Sequence, residues 1–160
     1  MILFSQTNLN RTMSEPVITT EEIMDAFTKK AVLHKKPIAI ITMGIPGSGK
    51  STVVKKFINE NFHKIFPKEK KVDKYGVQEF VNCNPDEILP FIKEEDDKKR
   101  LAIASRKNAS IIKKIRERDE KLSIIFDGTG SNLPSYKGNI NKFIENGYTI
   151  ILIYVMTNPL

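Results

Sequence analysis

Eight consecutive residues, Gly44-Ile45-Pro46-Gly47-Ser48-Gly49-Lys50-Ser51, set three glycines, one lysine and two serines at a spacing suited to holding phosphate. They fit G-x-x-x-x-G-K-[ST], the phosphate-binding P-loop. The glycines let the backbone turn tightly, so that successive N–H groups point inward around phosphate oxygens. Lys50 offers a compact positive charge to β- and γ-phosphates, and the Ser51 hydroxyl can ligate Mg²⁺. Thr52 carries the motif into a helix whose N-terminal dipole faces the anion. Two further polar clusters follow apolar runs: Asn84-Pro85-Asp86-Glu87 and Asp127-Gly128-Thr129-Gly130. Asp127 at a strand end can organise Mg²⁺ through water or hold a substrate, and Thr129 can donate to substrate or phosphate. For Asp86 the bland alternative is an acid stabilising a helix start.

These residues need elements to carry them. Ile38-Ala39-Ile40-Ile41 is a short apolar run that reads as a buried strand before the loop. Thr52 to Asn61 reads as the helix behind it, with Val53, Val54, Phe57 and Ile58 inward. Upstream, Thr19-Thr20-Glu21-Glu22 fits a capping box, and its helix is expected to reach about His34, with Pro37 ending it. Val77 to Cys83 is a second strand candidate. Asn84 then caps a helix with Pro85 at its first position, and Pro90 breaks it. A longer helix is expected from Asp97 to Glu120, a third strand over Leu122–Phe126, a helix over Ser135–Asn146 closed by Gly147, and a fourth strand over Tyr148–Val155. Strands alternating with helices predict an α/β, three-layer P-loop NTPase/kinase fold with a mainly parallel sheet of about four strands. Ligands in such sheets gather at the carboxyl ends of the strands.

A chain of 160 residues is expected to form one domain over 17–160, behind a mobile segment at 1–16. The hydrophobic share of 40% and charged share of 28% are ordinary for a globular chain. No apolar run approaches a membrane span, and one cysteine, Cys83, makes no internal disulfide, so a cytoplasmic location is expected. The net charge of +7 is uneven. Residues 38–76 carry eight Lys/Arg against three acids, which would suit nucleic acid or a phosphorylated substrate. A solvated lysine-rich loop explains the same residues, and that reading is preferred. His34 and His63 read as surface residues. Lys113, Lys114, Arg116 and Arg118 follow helical spacing and read as a solvent face.

Three segments together resemble the zeta-toxin-like family of P-loop kinases: Gly44 to Thr52, Val81-Asn82-Cys83-Asn84-Pro85-Asp86-Glu87-Ile88, and Ile125-Phe126-Asp127-Gly128-Thr129-Gly130-Ser131-Asn132. The resemblance runs from about residue 20 to the C-terminus and includes the last strand, Gly147 to Met156. It implies that Lys50 and Ser51 hold ATP (or GTP) with Mg²⁺ and that Asp86 is the general base on a substrate hydroxyl. Lys50, Asp86, Asp127 and Thr129 are then the catalytic candidates, and Gly44 to Thr52 the nucleotide site, with Ser51 and Asp127 toward the metal.

The resemblance implies a kinase acting on a hydroxyl of a small molecule such as a nucleotide sugar, with an antitoxin as an expected partner. A nucleic-acid 5′-hydroxyl kinase is a second reading, though no basic groove interleaved with aromatics supports it. A catalytically silent nucleotide-binding module or kinase fragment is a third. Relatives continue into a helix and lid whose arginines clamp the phosphoryl group. The 160-residue chain is therefore expected to transfer phosphate poorly and to need a completing C-terminal segment or to self-associate.

Overall fold

A computed structural model describes residues 18–29, 31–45, 47–68, 80–128 and 132–157. Four strands, β1 (Ile38–Met43), β2 (Phe80–Cys83), β3 (Ser123–Gly128) and β4 (Thr149–Tyr154), form one sheet in the order β2-β3-β1-β4, and every pair is parallel. All four C-terminal ends therefore share one edge of the sheet. Helices α1 (Thr20–Thr28), α2 (Lys50–Ile65), α3 (Pro85–Ile88), α4 (Asp97–Glu117) and α5 (Leu133–Glu145) connect and cover the strands. The expected α/β three-layer architecture with four strands is what the chain adopts.

The pleat sends alternate residues of each strand to opposite faces, and each face has its own core. Ala39, Ile41, Val81, Cys83 and Ile124 pack with Ile23 of α1, Ile111 and Ile115 of α4 and Phe143 of α5. Ile38, Ile40, Phe80 and Ile125 pack with Val54, Ile58 and Phe62 of α2. Within α2 the buried residues follow a four-residue step, whereas Val53, expected inward, is 39% exposed. The helix also starts and ends outside the predicted Thr52–Asn61, because its first turn begins inside the phosphate-loop motif.

Helix α1 is shorter than expected. Its capping box is intact, with the Thr19 N–H donating to Glu22 Oε2 at 2.7 Å and the Glu22 N–H to Thr19 Oγ1 at 3.2 Å. It ends at Thr28, well before His34. The residues that follow pair instead of coiling: Leu33 forms an isolated antiparallel bridge with Leu122. His34 is no surface residue but lies 5% exposed, stacked on Phe66 at 4.3 Å and 2.9 Å from Ser123 Oγ. Glu21 pairs with Lys114 of α4, and that ammonium holds the Glu21 carboxyl below the usual range.

Helix α4 ends at Glu117, three residues short of the prediction, and buries Ala104, Asn108, Ile111, Ile112, Ile115 and Arg116. Arg116 corrects the expected solvent face, being 4% exposed, while Lys113 is exposed and Lys114 half-buried. Strand β4 lies at a sheet edge rather than inside it, with Leu152 51% and Tyr154 62% exposed. The expected start of β2 at Val77 falls outside the described residues, as do Thr129, Gly130, Pro46, Asn158 and the segment 1–16.

Cys83 is wholly buried at the end of β2, and burial alone pushes its thiol up to about 12 from 9.0. A thiol that is neutral and enclosed at pH 8 is a poor nucleophile. Iodoacetamide is therefore expected to modify Cys83 only at the rate of unfolding, with labelling accelerated by urea. Rapid stoichiometric labelling of the native chain at pH 8 contradicts this burial.

Candidate phosphate site and adjoining cleft

The loop after β1 is shaped by close approach. An added Cβ at Gly44 would stand 2.8 Å from the Val155 carbonyl oxygen and 3.0 Å from Ser48 Oγ, so only glycine fits there without movement. Gly49 takes φ +81° and caps α2 with no side-chain acceptor. That left-handed geometry costs a residue with a Cβ about 1–2 kcal/mol. It also leaves the first-turn N–H groups of a 16-residue helix without a capping side chain, which is the arrangement that binds anions. Ser48 Oγ lies buried beside the loop with no hydrogen-bond partner among the described residues, a polar atom suited to a phosphate oxygen.

Lys50 turns back over this loop. Its ammonium donates to the carbonyls of Gly44 at 2.7 Å and Ile45 at 3.3 Å and stands 4.0 Å from Asp127 Oδ1. Asp127 is brought there by strand register, since Thr42 pairs with Asp127 and Met43 with Gly128 across β1 and β3. Thr42 Oγ1 donates to Asp127 Oδ1 at 2.6 Å, and Asn84 Nδ2 donates to Oδ2 at 3.2 Å. Both carboxylate oxygens are thus oriented by neutral donors while the charge faces Lys50. Asn84 works in two directions, because its Oδ1 also accepts the Asp86 N–H at 3.0 Å and starts α3.

Thr42, Lys50, Ser51, Asn84 and Asp127 line one cavity of about 70 Å³ under the start of α2. A second, larger cleft of about 450 Å³ lies between α4 and α5 and is floored by Phe126, Asp127 and Gly128. Asp127 borders both. The hydroxyls of Thr42 and Ser51 with one carboxylate make a hard oxygen set that suits Mg²⁺ completed by water and phosphate. No group of three or more His, Cys, Asp or Glu capable of holding a metal occurs among the described residues.

Of the candidates named from sequence, Lys50, Ser51 and Asp127 converge. Asp86 does not join them: it is exposed in the first turn of α3 and lines neither cavity. Gly44, Ile45, Gly47, Ser48 and Gly49 form the loop, and Thr52 is exposed behind it. Pro46 and Thr129 lie outside the described residues. Sequence reasoning missed Thr42, Asn108, Tyr136 and the inward setting of Arg116. A signal existed for two of them, because Ala104, Asn108, Ile112 and Arg116 step by four along the buried stripe of α4.

Gly128 sits where this site meets the cleft. A Cβ there would come 1.8 Å from the Tyr136 hydroxyl oxygen, and that hydroxyl donates to the Thr42 carbonyl at 3.4 Å. Gly128→Ala is expected to destabilise the fold by about 1–3 kcal/mol through overpacking. Tyr136→Phe in the same chain should recover part of the loss by removing the nearest atom. Urea unfolding of the single and double variants measures both, and an unchanged midpoint for Gly128→Ala contradicts the contact.

No described helix is long and apolar enough to cross a membrane. No curated protein matches the chain in sequence. A solved structure from the molecular and structural characterization of the PezAT chromosomal toxin–antitoxin system of Streptococcus pneumoniae has the same fold, with a TM-score of 0.64 and 17% identity. The match covers 84% of this chain and 53% of that one, so the chain spans about half the length of that protein. The sequence model of the family described as zeta toxin matches residues 23–160. With that match across most of its length, and a P-loop kinase-type fold beneath it, the chain belongs to the zeta toxin family.

Proposed function

We propose that the chain is a nucleotide-dependent phosphotransferase, moving the γ-phosphate of ATP or GTP to a hydroxyl of a small molecule such as a nucleotide sugar. The observation that carries this reading is the position of Asp127, which borders both the cavity under the phosphate loop and the cleft between α4 and α5. Transfer requires a donor and an acceptor to meet at one point, and in this chain the meeting point is a carboxylate held by Thr42 and Asn84. The first-turn N–H groups of α2 and the Ser48 hydroxyl receive phosphate oxygens, and Lys50 moves from its loop carbonyls to neutralise them. Ser51 and Asp127 are the residues that would hold Mg²⁺, which supplies charge neutralisation on the phosphates. Asp127 keeps the Lys50 ammonium near the transferring group by attraction at 4.0 Å. Asp86, at the C-terminal edge of the sheet, is assigned the general base that takes the proton of the attacking hydroxyl. An antitoxin is a proposed partner by analogy with the PezAT system.

A second reading, nucleotide binding without transfer, draws on the exposed position of Asp86 outside both cavities. Two variants separate the readings. Lys50→Ala should weaken Mg·ATP binding by tenfold or more while leaving the thermal midpoint near that of the parent, because Lys50 serves the ligand rather than the core. Calorimetry that finds equal affinity for the two chains removes the phosphate-loop assignment. Asp86→Asn should keep nucleotide binding and lose about 10²- to 10⁴-fold in transfer to an acceptor panel. If the variant turns over like the parent, Asp86 is only a helix-start acid, and if neither transfers phosphate the second reading stands.

A further inference from the structure

The cavity under the first turn of α2 holds a single acid. Among the described residues that line it, Asp127 is the one carboxylate, and Lys50 and Lys55 are the cations. The Lys50 ammonium stands 4.0 Å from Asp127 Oδ1, and the two side chains are 12% and 27% exposed. At that depth the attraction between the two charges is stronger than the same pair would feel in bulk water. Thr42 and Asn84 take up the carboxylate oxygens, donating to Oδ1 at 2.6 Å and to Oδ2 at 3.2 Å. The site is thus balanced within itself, with one negative group, one positive group beside it and a neutral donor on each oxygen. The part of Asn84 follows from its chemistry. One end of its amide must accept, because the Asp86 N–H reaches Oδ1 at 3.0 Å, and the other must donate, because Asp127 offers acceptor oxygens. Both partners fix the orientation of the amide. An aspartate has the same shape and starts a helix equally well, but it would turn an oxygen toward Asp127.

We infer that Asn84 decides how a divalent cation reaches this site: by holding the site at one carboxylate against one ammonium, it closes the site to the free ion and admits the ion only with nucleotide phosphate. This rests on the phosphotransferase reading for the nucleotide alone. A free Mg²⁺ at Asp127 would set two further positive charges beside Lys50, with one negative charge to meet all three. A small hard cation gives up its water reluctantly, and its affinity follows the number of charged oxygens offered to it. Phosphate changes that sum, because its oxygens draw Lys50 away and supply negative charge to the ion. A second carboxylate at position 84 would supply the charge with no nucleotide present. Removal of the Lys50 ammonium would act from the other side, by leaving Asp127 unopposed. Both changes lead to a gain of metal binding, which damage to the fold does not imitate.

The probe is Mn²⁺, whose free concentration is read from its electron paramagnetic resonance signal, titrated into the chain near neutral pH with and without ADP. The parent should bind free Mn²⁺ at least about tenfold more weakly than Mn·ADP, and Asn84→Asp should bind free Mn²⁺ at least about tenfold more tightly than the parent, since ligand charge sets affinity. Mg²⁺ alone should then raise the thermal midpoint of Asn84→Asp and leave that of the parent in place. Lys50→Ala should gain affinity for free Mn²⁺ while losing it for Mn·ADP, two opposite signs from one substitution. Asn84→Ser keeps a capping oxygen and adds no charge, so its affinity for free Mn²⁺ should stay within a few-fold of the parent. A parent that binds free Mn²⁺ as tightly as Asn84→Asp does overturns the inference. An Asn84→Ser chain that gains as much as Asn84→Asp overturns it as well, because charge is then not the cause. If Asn84→Asp fails to fold, Lys50→Ala decides, and no gain for free Mn²⁺ there overturns the inference. A parent that binds neither Mn²⁺ nor Mn·ADP removes the phosphate-loop reading alone, because the gain or its absence in the two charge-changing variants still decides what closes the site.

Discussion

The 2.6 Å hydrogen bond from Thr42 to Asp127 is short in space and long in sequence, and the site is built around it. It exists because β1 and β3 are adjacent, parallel and in the register that sets Thr42 opposite Asp127. Side chains alternate along a strand, so a slip of one residue in β3 would turn Asp127 to the opposite face of the sheet. The register is held by the two cores, with Ile124 committed to one face and Ile125 to the other. Packing at the middle of the strands thereby positions a carboxylate at their ends. The same bond holds the acid 4.0 Å from the Lys50 ammonium.

Polar chemistry at this edge is supported by residues with other duties. Asn84 starts α3 with its carbonyl oxygen and orients Asp127 with its amide. Tyr136 fills the space that Gly128 leaves open and reaches the Thr42 carbonyl. At the opposite end of the sheet, Ser123 accepts the Ile38 N–H at 2.9 Å and meets His34 at the same distance, in a pocket closed by Phe66. A buried polar group without such partners would cost more than it stabilises. The sheet thus carries one satisfied polar network at its closed end, while among the described residues Ser48 and Asn108 keep unpartnered atoms toward its open edge and Arg116 keeps one at the far end of α4. In a native fold, polar atoms left this way are positions where water, an ion or a ligand completes the bonding.

Under the proposed phosphotransferase reading, the two cavities would divide the labour that phosphoryl transfer demands. Positioning and charge neutralisation dominate that chemistry, so separate pockets that share one carboxylate are an economical arrangement. The loop side depends on backbone geometry, through Gly44 and Gly49, and tolerates little change of residue type. The cleft side depends on side chains from two helices, and its residues can vary without disturbing the loop. In the proposed function, recognition of an acceptor would in this way be separable from recognition of the nucleotide.

Local chemistry determined much of this protein before any fold was known. The phosphate loop, the capping box at Thr19, the Asn84–Pro85 helix start, the alternation of strands and helices and Asp127 at a strand end were all legible, because each depends on residues close in sequence. The extent of α1 is not legible in the sequence, since the bridge from Leu33 to Leu122 and the stacking of His34 on Phe66 draw in residues that local helical spacing alone would keep coiled. The charge of Arg116 reads as a solvent position, whereas its step of four from Ile112 sets it on the apolar stripe. Strand order, register and the pairing of α4 with α5 around one cleft came only from tertiary structure. Those features arise from contacts between residues far apart in the chain, and no local preference of Thr42, Asp127 or Arg116 encodes which neighbours packing will bring to them.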